Sequence, residues 1–231
     1  MVDLMKYGII CAMEEEIKAL RAQLTNANEE NIANMIFYSG QINDHEVVLV
    51  RAGIGKVQAG VTTAFLIENF KVDAVINSGS AGGIGTGLAV GDLVLSTGAA
   101  YHDASATVFG YKPGQLPQQP QIFEANQELL QAVSEAASQA GLQVKPGLIV
   151  TGDQFVSSQA QIAAIKEIYP QALCCEMEGA AVAQVAYQFD KPFLIVRAMS
   201  DVGDEDAGQS FDEFIIDAGK KSAQMILNLL A

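Results

Sequence analysis

The segment YGIICAMEEEIKALRAQL, residues 7–24, changes its hydrophobic period half-way along. Residues 7–13 form a short apolar run, and from residue 14 onward Ile17, Leu20 and Leu24 recur at helical spacing, which predicts a strand feeding a helix. The alternation continues through the chain. Residues 35–42 and 46–52 flank the turn dipeptide Asn43-Asp44 and read as an antiparallel hairpin. Residues 56–70 read as a helix, 73–77 as a buried strand ending in a glycine-rich loop at 78–87, and 92–101 as another strand. A helix over 125–140 closed by Gly141, a strand over 146–152 and a helix over 159–168 stopped by Pro170 follow. Then come a strand at 173–176, a helix at 179–189, an apolar strand at 193–200 and a long amphipathic helix at 211–230. Only 103–123, with three prolines, two glycines and no periodicity, reads as a long loop. With no linker or break in composition, the pattern predicts an α/β chain of one domain over 1–231: a three-layer α/β/α sandwich around a central mixed sheet.

Composition fits that reading. Half of the 231 residues are apolar and 17% are charged, so disorder is excluded and a sizeable core is available. Thirteen Lys and Arg stand against twenty-seven Asp and Glu, a net charge of −14. Such a surface repels a phosphate backbone and anionic lipid, which argues against nucleic-acid or membrane partners and says nothing against a neutral small molecule. Cys11, Cys174 and Cys175 make no disulfide framework and suit a reducing cytosol. The N-terminus, with Asp3 and Glu14 around a short apolar run, does not read as a signal peptide. The uncharged stretch 74–91 is too rich in Gly and Ser for a membrane span. The expectation is a cytoplasmic protein.

Several chemistries lack their motifs. The glycine run at 79–85 holds no G-x-G-x-x-G and leads into a strand, so a dinucleotide site is unsupported. Gly53-Ile54-Gly55-Lys56 is too short for a phosphate loop, and no G-x-S-x-G elbow occurs. His45 and His102 have no ligand partners at metal spacing. What remains are acids at strand ends: Glu14-Glu15-Glu16 after the first strand, Glu176-Met177-Glu178 after the short one, and Asp201 after the apolar one. Each has a structural alternative: compensation of a helix dipole for the glutamates, a turn beside the solvated run 204–206 for Asp201. Together they suit glycosidic cleavage, in which one carboxyl protonates the leaving group, another activates water, and a third holds the sugar hydroxyls.

The strings GIICAMEEE (8–16), AGIGKVQA (52–59), NSGSAGG (77–83), YHDASATVFGYKPGQLP (101–117), TGDQFV (151–156), EMEGAA (176–181) and RAMSDV (197–202) occur in that order. Together they resemble the bacterial 5′-methylthioadenosine/S-adenosylhomocysteine nucleosidases of the nucleoside phosphorylase superfamily, over essentially the whole chain. The resemblance implies hydrolysis of the adenine–ribose bond of 5′-thioadenosines without metal or cofactor, in methionine salvage. It implies Asp201 as the acid serving adenine N7, Glu16 as the carboxylate activating water and Glu178 as the ribose-binding one. Met177 would lie under the ribose, Phe155 would stack on adenine, and the backbone of Val156 would read the base edge, where the family more often has isoleucine. Ser80 would sit at the water corner with Arg197 and Ser200 ordering nearby groups. Ala81, Gly82 and Glu176 count as substrate-binding, and Met13, Ile54 and Phe211 as pocket walls. The resemblance further implies a homodimer in which Phe109 and Pro117 reach the neighbouring subunit's pocket, accounting for the irregular stretch 103–123.

Two rivals are weighed. A phosphorylase of the same fold needs basic residues or bare amides at the strand ends, whereas this chain has Glu14, Glu15 and Glu16 after strand one, and Asn77 where hexameric phosphorylases carry arginine. A non-catalytic adenosine-binding protein could dispense with proton-transfer carboxyls, yet all three are present. Preference among methylthioadenosine, S-adenosylhomocysteine, 5′-deoxyadenosine and futalosine-type nucleosides stays open.

Overall fold

The computed structural model describes residues 5–202 and 207–231, which leaves Asp3 and the acidic run 204–206 outside the described residues. The opening segment folds as read, into β1 (Tyr7–Cys11), fully buried, and α1 (Glu14–Arg21), with three glutamates in the first turn where the dipole favours them. β2 (Thr25–Ile32), β3 (Met35–Ile42) and β4 (His45–Arg51) follow, the β3–β4 turn placing Asn43 at φ 51°. Then come α2 (Lys56–Glu68), β5 (Ala74–Gly83), β6 (Leu93–Tyr101), one 3₁₀ turn at Thr107–Phe109 and the two-residue β7 (Phe123–Glu124). α3 (Gln127–Gln139) starts where the Asn126 side chain accepts the Leu129 N–H, and ends before Gly141 at φ 72°. β8 (Val144–Thr151), α4 (Gln159–Ile168), β9 (Ala172–Glu176), α5 (Gly179–Gln188), β10 (Phe193–Asp201) and α6 (Ala207–Leu229) complete the chain.

All ten strands join one mixed sheet. β1 lies parallel between β4 and β5, and β3 and β2 extend that wing by antiparallel pairing. At its other end the sheet closes: β5 pairs with β10, β10 with β6, β6 with β8, β8 with β9, and β9 returns to β5. Among the described residues the central layer is therefore a five-stranded ring with a four-stranded wing, and the short β7 pairs with β6 beside the ring. α1, α3 and α6 cover one side, and α2 with α5 the other. Among the described residues no helix is long and apolar enough to cross a membrane.

Two local departures from the sequence reading, and one feature of the sheet that it did not address, have physical causes. β2, TNANEENI, has no hydrophobic period to mark it as a strand; it is an exposed edge strand held by its ladder to β3. The residues 78–83 are strand rather than loop, a continuation of β5. Their glycines answer to close approach, since a Cβ on Gly79 would lie 2.7 Å from Glu16 Oε1 and one on Gly82 2.8 Å from Asp201 Oδ1. Finally, the acid-bearing carboxyl ends do not all belong to strands running one way. β1, β5 and β10 are parallel, but β9 is antiparallel to β5 and meets it only through Gly82–Cys175 and Gly83–Cys174, at the carboxyl ends of both. Ring closure, not a shared sheet edge, delivers Glu176 and Glu178 to the site.

Candidate active site

A cleft of about 600 Å³, counting its mouth, opens where the carboxyl ends of β5, β9 and β10 converge. Its lining gathers Met13, Glu16, Ile54, Ser80, Ala81, Gly82, Phe155, Val156, Glu176, Met177, Glu178, Ser200, Asp201 and Phe211 from the sequence expectation. Ala12, Gln154 and Cys175 line it as well and were missed. Each is the chain neighbour of an expected residue, so adjacency was their only signal.

Glu16 both caps the start of α1 and faces the cleft. Its Oε2 accepts the N–H groups of Ala12 (2.8 Å) and Met13 (3.0 Å) at the start of α1, while Oε1 accepts the Ser80 N–H (3.0 Å) and hydroxyl (3.1 Å) across the cleft floor. At 2% exposure the carboxyl is nearly sealed. Burial raises its pKa above the usual 4.5, against the pull of Arg197 and the backbone N–H groups. The result is a carboxylate more basic than an exposed one.

Glu178 sits at the N-cap of α5 and accepts the Gly55 N–H at 2.8 Å through Oε1. Burial and the neighbouring Glu176 push its pKa up to about 8, with Arg197 and the Gly55 N–H opposing. Glu176 itself is consumed by structure. It accepts the Glu178 N–H (3.0 Å), the Gly179 N–H (2.8 and 3.0 Å), the Thr151 hydroxyl and the Arg197 guanidinium.

Arg197 is not in the cleft lining; it lies beneath it, 1% exposed, where it orders the acids around it. Its Nη2 donates to Asn77 Oδ1 (2.6 Å) and Glu176 and lies 3.6 Å from Glu178. It is the counter-ion of the acids from below. Asp201 ends β10 at 2% exposure, and its Oδ2 accepts the Ser200 hydroxyl at 2.9 Å. Phe155 stands at the mouth, its ring edge-on to Phe211 with centroids 5.7 Å apart. Phe109 and Pro117 are not brought to this cleft; both are exposed on the long irregular segment.

Among the described residues the lining holds no Lys, Arg or His, and no group of three or more His, Cys, Asp or Glu is arranged to hold a metal ion. Cys175, facing the cleft, is kept a thiol by burial and by Asp201 and Glu176 nearby. The arrangement can therefore move protons between carboxyls and an uncharged ligand.

A family profile described as Phosphorylase superfamily matches residues 6–231. A protein of Actinobacillus succinogenes named 5′-methylthioadenosine/S-adenosylhomocysteine nucleosidase is 45% identical, the match covering 98% of this chain and 99% of that one. The S. pneumoniae nucleosidase of the same kind, solved with the transition-state inhibitor MT-ImmA, superposes with a TM-score of 0.95 at 47% identity, covering 98% of each chain. The Streptococcus pyogenes S-adenosylhomocysteine nucleosidase, solved with 5-methylthiotubericidin, gives 0.96 at 44% identity over 98% of this chain and 96% of that one.

Proposed function

We infer, from a chain that belongs to the phosphorylase superfamily, a working nucleosidase. It is an N-glycosyl hydrolase that cleaves 5′-methylthioadenosine and S-adenosylhomocysteine to adenine and the corresponding thioribose. One observation supports the mechanism most: Glu16, Glu178 and Asp201, distant in sequence and each at most 5% exposed, face a single cleft.

Adenine leaves badly as an anion. Asp201, at the end of β10, delivers or relays a proton to N7 as the C1′–N9 bond stretches, help worth about 10²–10⁴-fold in rate. Glu16, fixed by four hydrogen bonds and made more basic by burial, takes the proton of the attacking water near Ser80. Glu178 accepts from the ribose hydroxyls, Met177 underlies the sugar, and Phe155 covers the base. The acids also stabilise the positive charge that develops on the ribose between them. Ile54 and Phe211 bound the space for the 5′ thioether.

Water rather than phosphate is the nucleophile. A phosphate dianion would enter a lining without a basic side chain among the described residues, and the one arginine below is already shared by Glu176, Glu178 and Asn77. The test is release of free adenine from methylthioadenosine in phosphate-free buffer. We expect turnover at the same rate with and without added phosphate; strict phosphate dependence would make the enzyme a phosphorylase. The protein acts in the cytoplasm as one folded unit and pairs with a second copy. Val108 (85% exposed) and Phe109 (79%) stand unburied on the irregular segment, apolar side chains for which a second subunit supplies cover.

A further inference from the structure

Lys56 breaks a local rule. It is the first residue of α2, where a positive charge opposes the helix dipole, and no acidic residue follows in the first turn. The preceding N-cap, Gly55, at φ 102°, offers no side chain to the exposed amides. Help comes from far along the chain. Asp153 Oδ1 accepts the Lys56 N–H at 2.9 Å, and the Lys56 ammonium lies 2.7 Å from Asp103 Oδ2 and 3.5 Å from Asp153 Oδ2. Asp103 Oδ2 also accepts the Asp153 N–H at 2.9 Å, and the ammonium sits 5.5 Å from the centre of the Tyr101 ring. Burial works to protonate Asp103, but the lysine and that N–H hold it below the usual carboxylate range, so Asp103 is ionised at neutral pH.

One lysine thus ties together the turn before α2, the start of the irregular segment after β6 and the turn after β8. Two of these turns supply the cleft: the first gives Ile54 and the Gly55 N–H on Glu178, and the third gives Phe155, two residues beyond Asp153. A local rule broken and compensated at such a junction marks a role beyond folding.

We propose that Lys56 is a positioning residue, its ammonium shared by Asp103 and Asp153 so that the Gly55 N–H stays on Glu178, where it favours the ionised carboxylate and keeps it aimed at the ribose. The proposal rests on the nucleosidase reading. Glu178 is faced by Glu176 at the end of β9, Arg197 on β10 and Glu16 on α1, and of these only Arg197 favours its charge; the Gly55 N–H is its second support. Freeing that N–H raises the pH at which Glu178 ionises.

The experiment compares wild type, Lys56→Met and Lys56→Arg across pH, reading adenine release from methylthioadenosine. In Lys56→Met, kcat/KM at neutral pH falls roughly ten- to a hundredfold, the weight of one hydrogen bond to a charged group. Its acidic limb moves to higher pH, so the deficit shrinks as pH rises, and Lys56→Arg stays close to wild type. An acidic limb that does not move overturns the proposal, as does an equal deficit at every pH, because loosened folding alone gives that. If Lys56→Met does not fold, Asp103→Asn, which weakens the same ion pair and keeps the lysine, is read by the same criteria. A wild type that releases no adenine overturns the nucleosidase reading itself, an outcome distinct from an active wild type with an unmoved variant.

Discussion

Asp201, the proposed acid, and Glu178, the proposed ribose ligand, call for different tests. Replacing the proposed acid, Asp201→Asn, keeps the size of the side chain and its place against the Ser200 hydroxyl and Gly82. We expect nucleoside binding within a few-fold of wild type by calorimetry and a loss of kcat of about 10²-fold or more; retained turnover would remove Asp201 from the mechanism. Glu178 speaks instead through stability. Its pKa in the folded protein is about 8, against 4.5 for an ordinary glutamate, so folding favours its protonated form. That contribution is complete below about 4.5 and is lost as pH rises through about 8. Melting curves of wild type against Glu178→Gln should show the wild type losing ground steadily over that interval; a constant difference would mean that Glu178 ionises normally. The sequence showed these acids and their strand ends. It did not show that Arg197 lies under them rather than among them, because a buried arginine at a strand end looks the same as one facing a ligand until Asn77 and Glu176 are seen to take its guanidinium.

Among elements, α6 and α1 meet with no space to spare. A Cβ on Gly219 would lie 2.7 Å from the Glu15 carbonyl oxygen and 3.2 Å from the Glu16 Cα, both backbone. Alanine in a helix normally gains up to about 1 kcal/mol over glycine. Here the overlap reverses the sign: Gly219→Ala should destabilise by about 1–3 kcal/mol in urea titrations. It should lower kcat/KM as well, because the residue pushed aside carries the proposed base; a stabilised, fully active variant would show that α1 shifts freely. Helix limits were legible where side chains cap or stop them, as at α4, whose bounds Gln159–Ile168 were read outright before Pro170. β5 was cut short because its glycines mimic a loop, and the information that would have corrected this, carboxylates lying against bare Cα atoms, is tertiary. β2 has no hydrophobic period to read at all.

For the whole molecule, the alternation of strands and helices sufficed for a helix-flanked mixed sheet, and the ordered strings named most of the residues that line the cleft. The closure of the sheet was not legible, since it depends on β9 touching β5 through two residues. The proposed pairing of two copies gives a further expectation. The native protein should sediment at twice the mass of one chain, and Phe109→Ala should raise KM for thioether nucleosides while leaving the melting temperature of the subunit nearly unchanged, its ring being 79% exposed on one chain. A monomer with full activity would remove Phe109 from the site.

The ring also sets an order on biosynthesis. β10 inserts between β5 and β6, partners made more than ninety residues before it, and it brings both Asp201 and the Arg197 that neutralises the older acids. Until it emerges, one whole edge of β5 offers unpaired amides and carbonyls to any neighbouring strand. A chain that ends ahead of Phe193 therefore lacks both Asp201 and the strand that covers this edge.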